Sequence, residues 1–316
     1  MKILFTCVGR RVELVQAFRR AAEGLGLALT IYGADMDGTA PALQFCDKNV
    51  RVPKIRSGEY LPFLLDYCEK EHIDAVIPTI DTDLPVLAEN KRAFEDRQTR
   101  VVISTPEKIA LCGDKALTAR YFVSLGLCTP ATVETADQYN GGYPAFIKPR
   151  NGSSSVDAYK VRSREELRAI STMVPEPIIQ PFVSGMEYTV DVLCDLEGSL
   201  VYITPRQRLA VRAGEVLKTR ICHEESIIRD VEKLVEEFRP CGPITVQLIK
   251  EEAGGVNWFL EINPRFGGGA PLSMGAGADS ASALLRILRG EAVGYLPRAA
   301  EDGAVFSRFD QSVRIL

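Results

Sequence analysis

The sequence predicts an α/β chain that begins with a doubly wound parallel sheet and continues into a region of mixed helices and paired strands. Between residues 2 and 103, short apolar runs alternate with amphipathic helical stretches, a pattern typical of parallel sheets. After Ser104 the alternation gives way to strand-like runs on either side of short polar loops. At 316 residues the chain exceeds the size at which one hydrophobic core stops growing, so we expect two or three structural units.

The overall composition excludes several classes of protein. The formal net charge is −4 and the isoelectric point is near 5.5, so the chain has no general attraction for nucleic acid or for an anionic membrane. Eight cysteines are scattered without a C-x-x-C pair, which favours reduced thiols. No apolar stretch reaches about 18 residues, and the first residues lack the pattern of a signal peptide. We therefore expect a cytoplasmic protein with no nucleic-acid or membrane partner.

The parallel sheet should bind its ligands at one edge. We predict helices at residues 12–22 and 60–70, and strands at residues 2–8, 27–32, 75–78 and 101–103. Ligands of such sheets collect beyond the carboxyl ends of the strands, where Arg10, Arg11 and Asp81 lie. The two arginines could hold an anionic substrate or form a solvated pair, and Asp81 could equally cap a helix. Gly9 stands alone where a dinucleotide site needs three glycines, which argues against a nicotinamide cofactor.

Two lysines lie beside segments that suit phosphate binding. Lys115 follows Gly113 and Asp114 at the start of a predicted helix, residues 115–125. Lys148 ends a predicted strand, and a small polar loop at residues 151–155 follows it. The N–H and O–H donors of this loop suit a flap over phosphate groups, although ordinary hairpin turns have the same composition.

The next segment has the pattern of a connector between a lid and a base. Residues 178–193 form two strand-like halves around Ser184 and Gly185, and backbone groups at such a hinge can read the edge of an adenine ring. Five cations follow within fifteen residues: Arg206, Arg208, Arg212, Lys218 and Arg220. They could bind an anionic substrate, or they could protect a solvated edge strand.

Oxygen ligands are predicted on two neighbouring strands near residue 260. Because side chains two apart on a strand share a face, Glu261 and Asn263 should point one way, and Leu260 and Ile262 the other. Gln247, on the preceding strand of a hairpin, can face the same side as Glu261. Carboxylate and amide oxygens suit Mg²⁺, which is usually shared with substrate phosphates. The glycine run at residues 267–269 lets the backbone come close to a ligand.

In order and spacing, these segments resemble the ATP-grasp enzymes, of the kind found in the large subunit of carbamoyl phosphate synthase. The resemblance covers nearly the whole chain and implies three parts: an N-terminal Rossmann-like domain at residues 1–105, a lid subdomain with a linker helix at residues 106–183, and a C-terminal subdomain at residues 184–316. The last two would be of α+β type and would form the ATP-grasp fold. Only one ATP-grasp unit and no glutaminase are present, so synthesis of carbamoyl phosphate itself is not expected.

The resemblance also implies a set of binding residues. ATP would be bound by Lys115, Lys148, Ser153, Ser154, Ser155, Gln180, Phe182, Val183 and Glu187. Mg²⁺, or Mn²⁺ in its place, would be held by Gln247, Glu261 and Asn263. Two departures stand out: Gln180 replaces an acidic residue that often faces the adenine amino group, and the lid loop has one glycine, Gly152, where many relatives have more.

The implied activity is that of a carboxylate–amine ligase, in which ATP converts a carboxylate into an acyl phosphate and an amine attacks it. Arg265 and Arg212 are the implied catalytic residues, because guanidinium groups suit phosphoryl and carboxylate groups. The implied substrate contacts are Arg10, Arg11, Asp81, Gly267 and Gly268. The implied partners are small-molecule carboxylate and amine substrates, and a homodimer is allowed. The alternatives are a non-catalytic nucleotide-binding protein and a nicotinamide oxidoreductase.

Overall fold

The computed structural model describes residues 1–152 and 156–315, which form three sheets and the helices that cover them. The strands are β1 (Lys2–Thr6), β2 (Thr30–Asp35), β3 (Lys48–Arg51), β4 (Ala75–Pro78), β5 (Arg100–Val101), β6 (Ala145–Pro149), β7 (Tyr159–Val161), β8 (Pro177–Pro181), β9 (Gly185–Cys194), β10 (Leu200–Arg212), β11 (Glu215–Ile221), β12 (Pro243–Glu251), β13 (Asn257–Asn263) and β14 (Val305–Ser307). The helices are α1 (Val12–Gly24), α2 (Tyr60–Glu71), α3 (Leu84–Glu89), α4 (Lys91–Glu95), α5 (Pro106–Gly113), α6 (Lys115–Ser124), α7 (Arg164–Ser171), α8 (Glu225–Phe238), α9 (Ala270–Gly275) and α10 (Ser280–Leu288). Within these residues no helix combines the length and the apolar character that a membrane span requires.

The first sheet is the predicted doubly wound parallel sheet. Its strand order is β3-β2-β1-β4-β5, and all four pairings are parallel. Successive side chains of β1 enter opposite cores, since Ile3 and Phe5 pack with α1 while Leu4 packs with α2 and α3. The strand order reverses between β1 and β4, so the crevice beyond these two strands is the expected place for a ligand.

The C-terminal helices complete the first core. Both α9 and α10 pack against α1, and Phe266, Leu284 and Leu288 share a hydrophobic cluster with Phe18. The Phe18 and Phe266 rings meet edge to face at 5.9 Å between centroids. Residues from both ends of the chain therefore form one core, although the predicted domain boundary at residue 105 separates them in sequence.

One predicted strand was placed three residues too early. Residues 27–29 precede β2, because the Leu27 N–H donates to Ala22 O at 2.9 Å and the Gly26 N–H donates to Glu23 O at 3.1 Å. Gly26 has a positive φ of 60°, so these two bonds form the left-handed ending of α1. Leu27 packs against the core from this cap, which explains why its apolar character suggested a strand.

The remaining chain forms a lid and a base. The lid is the antiparallel sheet β7-β6-β8, covered by α7. The base is the six-stranded antiparallel sheet β13-β12-β9-β10-β11-β14. One face of the base packs on α6 and on the apolar stripe of α8, and there Phe122 contacts Phe259 at 5.3 Å between ring centroids. The other face packs in part on α10, where Leu193 and Val201 share a hydrophobic cluster with Ile287, and in part carries polar side chains.

A bulge changes the predicted orientation of Leu260. In the pairing of β12 with β13, Leu248 lies opposite Phe259 and Gln247 lies opposite Glu261, so Leu260 has no partner. A bulge of this kind inserts one residue and breaks the strict alternation of side chains. The expectation that Leu260 packs away from Glu261 was wrong, because both side chains line the same cleft, whereas Ile262 does enter the core.

The start of β9 should tolerate no side chain at Gly185. A Cβ at this position would lie 2.2 Å from the backbone oxygen of Lys250, on the neighbouring strand. We expect Gly185→Ala to lower the free energy of unfolding by about 1–3 kcal/mol, because the strands must separate. Urea denaturation of the full chain measures this change. Gly24→Ala, at a helical position with no heavy atom within 4 Å, is the matched control and should not destabilise the protein; equal effects of the two changes would contradict the close approach.

Candidate active site

Two pockets adjoin on the polar face of the base. The larger, which we call the lid cleft, lies between the base and the lid and has a volume of about 680 Å³. The smaller, which we call the inner pocket, lies between the base and the carboxyl edge of the first sheet and has a volume of about 290 Å³. Four residues line both pockets and mark their junction: Arg208, Gly214, Gln247 and Glu261.

Lys115 is held at the lid cleft by the start of α6. Asp114 caps this helix by accepting from the N–H groups of Ala116 and Leu117, and it also forms an ion pair with Arg150 at 2.6 Å. The Lys115 N–H donates to Arg150 O at 3.0 Å, which ties the helix to the end of β6. The Lys115 ammonium donates to Gly152 O at 2.5 Å. The lysine is thus placed beside the lid loop.

Lys148 enters the cleft from β6 without an acceptor for its ammonium group among the described residues. Burial lowers its pKa to about 8, opposed by the Glu261 carboxylate and assisted by the nearby Lys115. The pKa of Lys115 is also lowered by burial, while Glu261 and Asp81 act in the opposite direction. Two ammonium groups therefore lie near one carboxylate, which leaves a local excess of one positive charge.

The lid loop is described only in part. Asn151 and Gly152 line the cleft, and the Asn151 amide donates to the Glu176 carboxylate at 3.3 Å. Ser153, Ser154 and Ser155, which the resemblance assigns to ATP, lie outside the described residues. Their predicted contacts stay predictions.

The connector between lid and base lines the far end of the cleft. Gln180 is buried, and its Nε2 donates to Thr132 Oγ1 at 2.8 Å, while its amide oxygen has no donor within residues 1–152 and 156–315. The Phe182 N–H donates to Pro144 O at 3.1 Å, so this donor is already used. Among the described residues the Val183 N–H has no acceptor. Glu187 lies 3.3 Å from the Arg208 guanidinium.

Of the predicted metal ligands, Gln247 and Glu261 lie at the junction of the two pockets, and Asn263 lines the inner pocket. Gln247 and Glu261 lie directly opposite each other. Asn263 lies opposite Thr245, two residues further along the paired strands. The Asn263 amide donates to the Glu261 carboxylate at 3.1 Å. Within residues 1–152 and 156–315 no cluster of three His, Cys, Asp or Glu side chains could hold a metal. Any metal bound here would therefore have one carboxylate and two amide oxygens from the protein, a donor set that suits a hard cation shared with phosphate oxygens.

Arg265 connects this set to the first sheet. It forms a bidentate pair with Asp81, with N–O distances of 2.7 and 2.5 Å, and it donates to the Asn263 amide oxygen at 3.3 Å. Asp83, rather than Asp81, stands at the start of α3, so the capping role considered for Asp81 is not observed. Each of the three guanidinium nitrogens of Arg265 donates to an acceptor within the protein, so the guanidinium is held against Asn263.

The basic segment divides into buried and exposed arginines. Arg206 and Arg208 lie on β10, an interior strand, and line the pockets. Arg212 is exposed at the end of β10, pairs with Asp310, and is not among the residues that line either pocket. The structure therefore does not bring Arg212 to the site. The proposed solvated edge strand is also incorrect for β10, although Lys218 and Arg220 on β11 are exposed.

Arg206 and Arg208 are functional candidates that the sequence did not single out. Their spacing of two places them on one face, and Glu187 and Asp191 have suitable spacing on the neighbouring β9. Arg206 is 1% exposed and its guanidinium binds the Asp191 carboxylate at 2.7 and 3.2 Å. Arg208 donates to Gly214 O at 2.8 Å. Alternation of charge on two paired strands was the signal that could have identified them.

The first sheet contributes Arg11 to the inner pocket, and Arg10 is exposed outside it. Arg11 donates to Thr79 O at 3.2 Å, and burial together with the nearby Arg265 lowers its pKa. Gly267 and Gly268 also line this pocket, and a Cβ at Gly267 would lie 2.8 Å from Thr245 Oγ1. Four of the predicted substrate residues therefore line the inner pocket: Arg11, Asp81, Gly267 and Gly268.

Two family descriptions match the sequence. "PylC-like, N-terminal domain" matches residues 3–102, and "ATP-grasp domain" matches residues 112–269, which is half of the chain. The second match spans both lysines, the connector and the predicted metal ligands.

Curated relatives match part of the chain. A D-alanine–D-alanine ligase of Marinomonas sp. is 26% identical over 165 residues, which cover 45% of this chain and 52% of the relative. D-alanine–D-alanine ligase B of Clostridium perfringens is 27% identical over 178 residues, covering 49% and 58%. The chain thus spans about half the length of these relatives.

Solved structures share the fold over nearly the whole chain. N5-carboxyaminoimidazole synthetase from Staphylococcus aureus, complexed with ADP, has a TM-score of 0.74 at 14% identity, covering 93% of this chain and 78% of that one. An L-amino acid ligase from Bacillus licheniformis has a TM-score of 0.72 at 20% identity, covering 91% and 74%. At these identities the likeness establishes the fold.

The lowered pKa of Lys148 predicts a pH dependence of ADP binding. A phosphate favours the charged ammonium, whereas the free protein loses this proton as the pH rises through about 8. We expect the affinity for ADP to fall above pH 8, by at most about tenfold per unit for one proton. Calorimetric titrations with ADP across this range provide the measurement.

Lys148→Arg is the matched control, because a guanidinium keeps its charge over the whole range. Its binding curve should be flatter than that of the wild type above pH 8. Equal slopes for the two proteins would show that Lys148 is not the titrating group.

Proposed function

This chain belongs to the ATP-grasp family, and we propose that it is an ATP- and Mg²⁺-dependent ligase that joins a carboxylate to an amine with release of ADP and phosphate. The observation that supports this most is the junction of the two pockets. Lys115 and Lys148 face Glu261 there, and the inner pocket opens on the far side of the same carboxylate. A nucleotide in the cleft would place its terminal phosphate beside a substrate in the inner pocket.

In this proposal the lid cleft binds ATP. The free amide oxygen of Gln180 accepts from the adenine amino group, and the Val183 N–H donates to a ring nitrogen. Glu187 accepts from the ribose hydroxyls, at the cost of loosening its contact with Arg208. Lys115 and Lys148 compensate the phosphate charge, and phosphate in turn removes the repulsion between the two ammonium groups. ATP therefore supplies negative charge beside the two lysines.

Gln247, Glu261 and Asn263 are proposed to hold Mg²⁺. Bound there, the ion would neutralise charge on the terminal phosphates. Arg265 positions the Asn263 amide, and its bidentate pair with Asp81 keeps it in place. We therefore assign Arg265 a positioning role in place of the phosphoryl contact that the sequence suggested.

The reaction proceeds in two displacements. A carboxylate oxygen of the substrate attacks the terminal phosphorus, the bond to the bridging oxygen breaks, and ADP leaves. The amine then attacks the carbonyl carbon of the acyl phosphate and loses a proton, and inorganic phosphate leaves. Arg208 lies at the junction and is proposed to stabilise charge on the phosphoryl group in both steps, since positioning and electrostatics supply most of the catalysis in phosphoryl transfer.

The proposed activity predicts ADP release that requires Mg²⁺, a carboxylate and an amine together. Glu261→Gln removes the only carboxylate of the proposed metal set and should lower this release by about two orders of magnitude or more, since metal charge is worth several kcal/mol in the transition state. A coupled ADP assay over a panel of small carboxylates and amines gives the rates, and circular dichroism checks the fold of the variant.

Two results would contradict this proposal in different ways. Unchanged ADP release by Glu261→Gln would remove the metal assignment. Absence of turnover over the whole panel, with ATP still bound, would favour a non-catalytic nucleotide-binding protein.

The place of Arg208 predicts that it acts on the transferred group. We expect Arg208→Ala to lower kcat by about 100-fold, because removal of one hydrogen-bond donor to transition-state charge has an effect of this size. The KM for ATP should change little. Arg220→Ala, an exposed arginine on the adjacent β11, is the matched control and should keep the wild-type rate. The same assay on Arg212→Ala compares the two arginines directly, and a larger loss there than in Arg208→Ala would reverse the assignment.

A further inference from the structure

We propose that the inner pocket binds a second carboxylate, one that is not phosphorylated, and that Arg206 and Arg11 are its ligands. This inference rests on the proposed ligase function and specifies its substrates. One of them would carry an anionic group remote from the reacting centre.

Neighbouring side chains fix the Arg206 guanidinium and leave one of its nitrogens for a ligand. The Asp191 carboxylate holds its Nε and Nη2, and Ser273 Oγ in turn donates to the same carboxylate at 2.6 Å. The remaining nitrogen, Nη1, is buried without an acceptor among the described residues, although Arg206 lines the inner pocket. A carboxylate oxygen in the pocket would be the missing acceptor.

Arg11 approaches the same pocket from the first sheet. Its Nη2 donates to Thr79 O, whereas Nη1 has no acceptor in the described part of the chain. A Cβ at Gly268 would lie 2.6 Å from this Nη1 and would be closer still to the Glu215 carboxylate, which lines the pocket beside Arg11. The guanidinium is therefore directed at the glycine segment that forms the floor of the pocket.

The glycine segment brings the two arginines into reach of one ligand. A Cβ at Gly269 would lie 2.9 Å from Arg206 Nη1 and 2.8 Å from Nη2, immediately after the Gly268 position that faces Arg11. Because consecutive Cα atoms are about 3.8 Å apart, the two guanidinium groups flank one short stretch of backbone. Neither glycine carries a side chain that would cover them.

The position of Arg206 on the sheet separates this carboxylate from the phosphorylated one. Arg206 pairs with Thr189, Thr189 with Gln247, and Gln247 with Glu261. Arg206 and Glu261 are thus three strand spacings apart, or roughly 14 Å between backbones at about 4.8 Å per strand. Arg208 lines both pockets, whereas Arg206 lines only the inner pocket, so we assign Arg206 to a group other than the one that receives the phosphoryl group.

Binding measurements on the full chain test this inference. The protein is saturated with Mg²⁺ and a non-hydrolysable ATP analogue, and it is titrated with amino acids, with four- to six-carbon dicarboxylates and with the carboxamide counterpart of each. We expect at least one acid to bind and its carboxamide to bind about tenfold more weakly or worse. Arg206→Lys and Gly269→Ala should each weaken binding of the acid by a similar factor. The first replaces the forked guanidinium with a single ammonium, and the second places a methyl group against the guanidinium.

Matched controls and a second readout separate the possible outcomes. Arg220→Lys and Gly24→Ala, away from both pockets, should bind the acid like the wild type. If a dicarboxylate binds, the second carboxylate belongs to the activated substrate. If an amino acid binds instead, the second carboxylate belongs to the amine substrate.

The inference is overturned if no acid binds, if acids and carboxamides bind alike, or if both pocket variants keep wild-type affinity. The affinity for the ATP analogue is measured in the same samples. If the wild type does not bind the ATP analogue, the ligase proposal itself is refuted. If nucleotide binding is normal and the pocket variants bind the acid like the wild type, only the second carboxylate site is refuted.

Discussion

The alternation of side chains across the six-stranded sheet is the constraint on which this site depends. Each strand that contributes to the core on one face contributes polar groups on the other, so Val190 and Val246 are buried while Thr189 and Gln247 line the pocket. The row from Arg206 to Glu261 follows directly from that geometry. Packing of α6 and α8 on the apolar face thus holds the polar groups in register, because a slip of one residue would bury them.

Much of this architecture was predictable from local pattern. The doubly wound sheet and the paired strands that carry Gln247 and Glu261 were predicted, because periodicity and breakers define such elements within the segment itself. The opposition of Gln247 and Glu261 was predictable for the same reason, since a short hairpin connects their strands.

What could not be predicted depends on contacts between distant segments. The bulge at Leu260 is a property of strand pairing, and alternation alone assigns that side chain to the wrong face. The pair between Asp81 and Arg265 joins groups 184 residues apart, and no local feature marks it. The five cations of the basic segment look alike in the sequence. Arg206 and Arg208 are buried because β10 is an interior strand, whereas Arg212 is exposed at the end of β10, and Lys218 and Arg220 are exposed on β11.

The pair between Asp81 and Arg265 has a consequence for recombination of such chains. Arg265 orients Asn263 in the base, but its own anchor comes from the first sheet. A chimera that received its first domain from another source would keep both lysines and Glu261, yet it would lose the anchor unless an acidic residue occupied the position of Asp81. Exchange of modules is therefore limited by single matched charges at their boundary, in addition to the fit of their surfaces.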